Sequence, residues 1–239
     1  MKRKINPKGY DIIVFDCDST LSALEGIDLL AEKHGVKKQV EEITHHAMNG
    51  HTFYAHALEM RLNLIKPNKS DLVWLGKKYI EKINKGTKEL IASLVKKGKG
   101  VYIISGGFED ALRIFAKHIN IPIQNIFSNK LQFDSKGRYL SFDKKNPLSR
   151  NHGKKIILKE IAQKGLTMFV GDGVTDLEAK DVVDLFVGFG GIKVRDIVKK
   201  EADIFIDDPT LAVVDSIALG KQIIDNCGIM TFDVGNRKN

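Results

Sequence analysis

The sequence predicts an α/β protein, a parallel sheet core into which a helical cap is inserted, and three observations lead there. Ile12-Ile13-Val14-Phe15, Val101-Tyr102-Ile103-Ile104 and Thr167-Met168-Phe169-Val170 are short, predominantly apolar runs, as strands covered on both faces are. Amphipathic helical patterns separate them, the alternation that builds right-handed crossovers. Between the first and second runs lie about sixty residues of helical pattern, far more than one crossover needs.

Taken in order, the first strand is followed by four expected helices, Ile27 to His34, Val40 to Met48, Phe53 to Ile65 and Leu72 to Ile83. These place the cap at residues 21–85, with the core at residues 1–20 and 86–239. The core resumes with a helix from Thr87 to Lys97, then the strand around Ile103. A hairpin is expected where Lys130-Leu131-Gln132-Phe133 and Tyr139-Leu140-Ser141-Phe142 flank the turn-forming Asp134-Ser135-Lys136-Gly137. A helix from Ile156 to Gln163 leads to the strand at Phe169. Strands at Phe186 and Ile204-Phe205-Ile206 follow, with a closing helix from Leu211 to Ile224 and a frayed end at Asn236-Arg237-Lys238-Asn239. At 239 residues and 43% hydrophobic, the chain can bury one sizeable core and a smaller insertion.

The chemistry gathers where the apolar runs end. Asp16 and Asp18 close the first run, and alternation along an extended segment sends both to one side with Cys17 turned to the other. Two carboxylates so close resist joint ionisation unless a cation or a shared proton relieves them. A divalent metal answers that need; the plain alternative is a strand end carrying two solvated acids. The third run ends in Gly171-Asp172-Gly173-Val174-Thr175-Asp176, again acidic, and the second in Ser105-Gly106-Gly107-Phe108 before a helical pattern, where a hydroxyl and backbone amides at a helix N-terminus can cradle phosphate. Gly153-Lys154-Lys155 opens another helix with fixed positive charge. Acids for a hard cation, a hydroxyl, amides and a lysine together read as a phosphoryl-transfer site.

Asp16-Cys17-Asp18-Ser19-Thr20, Ser105-Gly106-Gly107, Lys154 and Gly171-Asp172-Gly173-Val174-Thr175-Asp176 match, in order, the four motifs of the haloacid dehalogenase superfamily, which this chain resembles. Within it the resemblance is to the phosphoserine phosphatases and extends over nearly the whole chain, because Glu25-Gly26-Ile27-Asp28 and Met48-Asn49-Gly50 with Arg61 fall at similar spacings. The resemblance implies a Rossmann-like core, Mg2+ as cofactor and hydrolysis of O-phospho-L-serine. It implies Asp16 as nucleophile, Asp18 as general acid and base, and Lys154 as the catalytic lysine, with adjacent Lys155 as the less favoured candidate. The metal would be held by the Asp16 carboxylate, the Asp18 backbone carbonyl and the Asp172 carboxylate. Ser105, the Gly106 amide and Lys154 would hold phosphoryl oxygens, with Thr175 nearby and Asp176 orienting the metal site or Lys154. In the cap, Glu25 would meet the substrate ammonium, Arg61 its carboxylate and Met48 its apolar stem. Two departures stand out: Tyr54 where the family usually has Phe, and Asn49 in place of a small residue.

Other features carry plainer readings. His45, His46, His51 and His56 lack acid and thiol companions at a zinc spacing and are expected on the surface or in packing. Gly188-Phe189-Gly190-Gly191 reads as a turn rather than a dinucleotide site. Cys17 and Cys227, far apart, suggest neither a disulfide scaffold nor zinc. The formal charge of +8 is scattered through helices without interleaved aromatics, so no nucleic-acid partner is expected. No apolar stretch reaches the roughly 20 residues that cross a bilayer, and no secretory segment is seen at the start, so a cytoplasmic enzyme without a membrane partner is expected. Three functions fit to different degrees: a phosphoserine phosphatase, a related phosphatase or phosphotransferase acting on another small phosphomonoester, and, remotely, a noncatalytic nucleic-acid-binding module. Oligomeric state is left open.

Overall fold

The computed structural model describes residues 2–48 and 54–221, with the side chains of residues 47 and 48 outside that description. Expectations for Met48's side chain, Asn49, His51, Phe53, Cys227 and the chain end therefore fall outside the described residues.

Six strands form one parallel sheet in the order β3-β2-β1-β6-β7-β8. They are β1 (Ile12–Phe15), β2 (Gly100–Phe108), β3 (Ile126–Asn129), β6 (Thr167–Gly171), β7 (Leu185–Phe189) and β8 (Ile204–Ile206). β1 lies at the centre, pairing Ile13 with Val101 of β2 and with Met168 of β6. Every residue of β1, β6 and β7 is buried, which is why these runs are apolar on both faces. The sheet divides the core in two: Ile13 and Phe15 face one apolar cluster, Val14 and Phe169 the other. Burying each such large apolar side chain contributes about 1.5–3 kcal/mol.

Between β1 and β2 run α1 (Gly26–Lys33), α2 (Lys37–Met48), α3 (Tyr54–Ile65), α4 (Lys69–Glu81) and α5 (Thr87–Lys96). The remaining helices are α6 (Glu109–His118), α7 (Gly153–Ile161), α8 (Val174–Leu177), α9 (Asp196–Glu201) and α10 (Ala212–Ala218). The expected hairpin forms as a separate antiparallel pair, β4 (Leu131–Phe133) with β5 (Tyr139–Phe142). α4 lies directly on α6: a Cβ at Gly76 would sit 2.8 Å from the Ile114 side chain. No helix among the described residues is long and apolar enough to cross a membrane.

Three elements depart from the sequence reading. β2 runs on through Ser105, Gly106 and Gly107, and α6 begins only at Glu109, so the Ser105 hydroxyl and the glycine amides belong to an extended strand end rather than a helix N-terminus. β3 went unrecognised because Ile126-Phe127-Ser128-Asn129 pairs only with β2 at the sheet edge and is too short for a periodic signal. α10 spans only Ala212 to Ala218, with Leu219 and Gly220 in a turn, where the sequence reading carries a helix from Leu211 to Ile224.

Asp71 joins α4 to α1. Its carboxylate accepts from the Asn68 amide at 2.8 Å while Asn68 Oδ1 accepts from the Asp71 amide at 2.9 Å, a reciprocal cap at the start of α4. Lys33 Nζ and His34 Nε2 stand 2.7 and 2.9 Å from its two oxygens. Burial pushes this carboxyl up, but Lys33, Asn68 and His34 outweigh it and hold it below the usual range. Asp71→Ala should therefore lower unfolding stability by about 2–3 kcal/mol in urea titration. A folded pKa below the unfolded one gives stability that is present above about pH 4 and lost as pH falls through the folded value. Asp71→Asn should accordingly flatten the loss of stability below about pH 4.

Candidate active site

β1 and β6 are neighbours, yet the chain leaves β1 toward β2 on its other side. Their carboxyl ends thus flank the point where the sheet order reverses, the crevice in which open parallel sheets bind ligands. A cavity of about 710 Å³ opens there. Asp16, Asp18, Glu25, Arg61, Gly106 and Lys154 line it, as do Asp172, Thr175 and Asp176. Residues drawn from five separate sequence segments and named as site candidates from sequence thus meet in one space. Ser105 lies just behind it, fully buried, its hydroxyl accepting from the Gly107 amide at 3.0 Å.

Lys154 ties the acidic floor together. It sits in the first turn of α7, with Nζ 2.8 Å from Asp16 Oδ1 and 2.5 Å from Asp176 Oδ1. Burial alone would lower this ammonium's pKa; Asp16 and Asp176 reverse that and keep it charged. Lys155, by contrast, pairs with exposed Asp181 at 2.6 Å, away from the acidic floor. Asp176 is fixed a second time, accepting from the Gly173 amide at 2.8 Å. Its Cγ would be 2.5 Å from a Cβ at Gly171, so only glycine can end β6 beneath it.

The floor holds more negative charge than Lys154 can balance. Oxygens of Asp16, Asp172 and Asp176 lie within 4.8 Å of one another, all three residues buried. Burial, reinforced by Asp176, Asp172 and Asp18, pushes Asp16 up against the pull of Lys154. Burial and Asp176 push Asp172 to about 7, and burial with Glu25 pushes Asp18 to about 7. Asp16 Oδ1 and Asp172 Oδ2 are buried without an aligned hydrogen bond, although cations stand near both. Buried carboxylate oxygens that converge in a small space and outnumber the cations beside them are what a hard divalent cation requires. Asp18's carboxyl lies apart from this cluster: its Oδ1 accepts from the Tyr79 hydroxyl at 2.6 Å and the Gly26 amide at 3.0 Å.

Above the floor, Arg61 is buried in α3, its Nε donating to the Ala57 carbonyl at 3.1 Å. Among the described residues no carboxylate pairs with its terminal nitrogens. Glu25 accepts from the Ser19 hydroxyl at 2.9 Å. Tyr54 lines the same cavity, and its hydroxyl oxygen would lie 2.8 Å from a Cβ at Gly106, so the extra oxygen reaches the strand end that carries Ser105.

Sequence reasoning missed Arg195 and Tyr79. Arg195 Nη2 stands 2.9 Å from Asp172 Oδ2 and 3.4 Å from Glu25 Oε1, joining floor to cover. It follows the Gly188-Phe189-Gly190-Gly191 stretch, where β7 ends at Phe189 and the chain bends. The only available signal was topological, since the loop after β7 leaves the sheet beside β6. Tyr79 falls on the apolar face of α4 with Leu72 and Leu75, where nothing in the helical pattern marks its hydroxyl.

A carboxylate floor bridged by a buried lysine, at the switch point of a parallel sheet and beneath helices, defines a phosphoryl-transfer hydrolase site. The chain belongs to the haloacid dehalogenase-like hydrolases, whose family profile matches residues 10–179. It is 39% identical over 201 residues to the phosphoserine phosphatase of Drosophila melanogaster, covering 82% of this chain and 74% of that protein. It is 38% identical to that of Bos taurus, over 83% of this chain and 89% of that one. A solved phospho-aspartyl intermediate analogue of phosphoserine phosphatase superposes with a TM-score of 0.73 at 28% identity, covering 87% of this chain and 98% of that one.

The charge imbalance gives a direct test. A divalent cation, offered as magnesium or manganese chloride, should raise the thermal midpoint, by about 2.7 kcal/mol of stability at a hundred times its Kd. Asp172→Asn should abolish most of that rise in calorimetry. An unmoved wild-type midpoint with both salts would reject the metal site.

Proposed function

We propose that this chain is a magnesium-dependent phosphoserine phosphatase that works through an aspartyl-phosphate on Asp16. The observation that carries the reading is the convergence of Asp16, Lys154, Asp172 and Asp176 on the floor of one cavity whose upper wall holds Glu25 and Arg61. That pairs a phosphoryl-transfer floor with one acid and one forked base. Phosphoserine presents the complementary set of phosphate, ammonium and carboxylate.

In the first step an Asp16 carboxylate oxygen attacks phosphorus, the bond from phosphorus to the serine oxygen breaks, and Asp18 gives its proton to that oxygen. A carboxyl pushed to about 7 retains a proton to give near neutral pH. In the second step Asp18, now ionised, takes a proton from water as the water oxygen attacks the aspartyl-phosphate; phosphate departs and Asp16 is regenerated. Lys154 stabilises the phosphoryl oxygens as charge redistributes, assisted by Ser105 and the Gly106 amide, with Thr175 beside the group and Asp176 holding Lys154 in place. Magnesium, held by the Asp16 and Asp172 carboxylates and the Asp18 carbonyl, would supply Lewis-acid charge neutralisation at the phosphoryl group.

Residues 21–85 serve as the selective cap over a core of residues 1–20 and 86–239. Glu25 meets the ammonium, Arg61 the carboxylate, and Met48 would add an apolar contact. A related phosphatase for a different small phosphomonoester is the second reading, and one observation favours keeping it: the Tyr54 hydroxyl brings an additional polar group to Gly106. A cytoplasmic setting is part of this proposal.

Asp16→Asn should bind phosphoserine yet form no phosphoenzyme in rapid-quench experiments; substantial turnover would defeat the covalent route. Arg61→Ala should lower kcat/KM for phosphoserine by about 30-fold to several hundredfold, the equivalent of 2–4 kcal/mol. Phosphoethanolamine, which lacks the carboxylate, should be hardly affected. Equal losses on both substrates would assign Arg61 to the stability of the cap instead.

A further inference from the structure

Asp18 has two oxygens, and its chemistry as acid and base, which rests on the reading proposed above, requires one of them to carry a transferable proton toward the leaving oxygen. Oδ1 is already committed. It accepts from the Tyr79 hydroxyl at 2.6 Å and from the Gly26 amide at 3.0 Å. An oxygen receiving two donors is poorly placed to hold a proton, which leaves Oδ2. Oδ2 lies on the side of the β2 strand end, 3.5 Å from where a Cβ at Gly107 would stand. We infer that Tyr79 is a positioning residue for the reaction: its hydroxyl fixes the rotation of the Asp18 carboxyl and so assigns the transferable proton to Oδ2.

The space around the hydroxyl is shaped for this contact. A Cβ at Gly26 would approach the Tyr79 oxygen to 2.3 Å, and one at Gly107 to 3.2 Å. Glycines on a cap helix and on a core strand thus clear room for a polar atom that a phenylalanine would not bring. Burying a hydroxyl is unfavourable unless it is hydrogen-bonded, and Asp18 is the partner found.

Tyr79 also has anchors outside α1, α2 and α3. Its ring packs on Phe115 of α6 at 5.7 Å between centroids. The Ser22 hydroxyl stands 3.1 Å from the carbonyl of Tyr79 and 3.0 Å from that of Lys82, as donor. The Asn84 side chain donates to the Thr20 carbonyl at 3.0 Å, and the Ala23 amide to that of Lys82 at 2.8 Å. The last turn of α4 is therefore sewn to the four residues that follow Asp18 by two. A side chain held this way presents its hydroxyl to the general acid from a fixed base.

The test exploits the need for a proton. Serine leaves as a strongly basic alkoxide unless protonated, whereas p-nitrophenolate leaves without help. In single-turnover measurements Tyr79→Phe should slow phosphoenzyme formation from phosphoserine by about tenfold or more, within the range that general acid catalysis supplies. KM and magnesium affinity should stay within about twofold, and formation from p-nitrophenyl phosphate within about threefold. Equal losses on the two substrates, or less than about twofold loss on phosphoserine, would overturn the inference. Gly26→Ala, which crowds the hydroxyl while keeping the tyrosine, should reproduce the selective loss in the wild-type background and add little to Tyr79→Phe. Additive losses would likewise count against it. A wild-type chain inactive on phosphoserine but active on p-nitrophenyl phosphate would reject the substrate assignment alone, and the Tyr79 comparison would then be made with phosphoethanolamine.

Discussion

Everything at the sheet's carboxyl edge depends on one constraint: buried like charges in a space too small to hold them unaided. Asp16, Asp172 and Asp176 are brought within reach of each other by strands β1 and β6, and Lys154 supplies only one positive charge among them. Arg195 adds a second from the loop after β7. The electrostatic demand that remains is what makes the floor receptive to a cation and, beside it, to a phosphoryl group whose own negative charge needs cations around it. Charge that would destabilise an ordinary core is here organised by the sheet into a binding function.

The same constraint explains why much of this was legible in the sequence. β1, β6 and β7 are covered on both faces, so their apolar runs announce strands, and a parallel sheet delivers whatever follows those runs to a common edge. Asp16, Asp18 and Asp172 could be read this way because they stand within three residues of a strand end. Lys154 was legible by motif order, and its placement beside Asp16 and Asp176 rather than in solvent is a matter of three-dimensional reach. What stayed hidden has equally physical reasons. β3 is a short edge strand with partners on one side only. Ser105 to Gly107 looked like a helix entrance because glycine runs usually interrupt strands, yet here the chain stays extended. Tyr79 carries a polar atom on an otherwise apolar helix face, and nothing in the linear pattern distinguishes a tyrosine packed by its ring from one used through its oxygen.

The residues proposed for recognition and those proposed for the chemistry are physically joined rather than merely adjacent. Glu25 shares Arg195 with Asp172, and the amide that follows Glu25 donates to Asp18. A ligand ammonium that draws on Glu25 therefore acts on a group already in contact with the floor. Asp18 in turn feels Glu25 as one of the charges raising it, so occupation of the upper wall by a cation and the protonation of the acid below are electrostatically coupled.

The stitching of residues 20–23 to residues 79–84 has a consequence for the history of such a molecule. Seen from the sheet, the helical segment begins and ends at nearly one place, like a long loop whose mouth is pinned shut. The entropy of closing a flexible loop grows only logarithmically with its length, about 0.6 kcal/mol for each doubling. What lies between the pinned ends can thus be lengthened, shortened or replaced with little penalty to the strands beneath. A fold built this way can exchange its inserted helical half, to which the proposed reading gives the choice of substrate, while inheriting unchanged the sheet that carries the acidic floor.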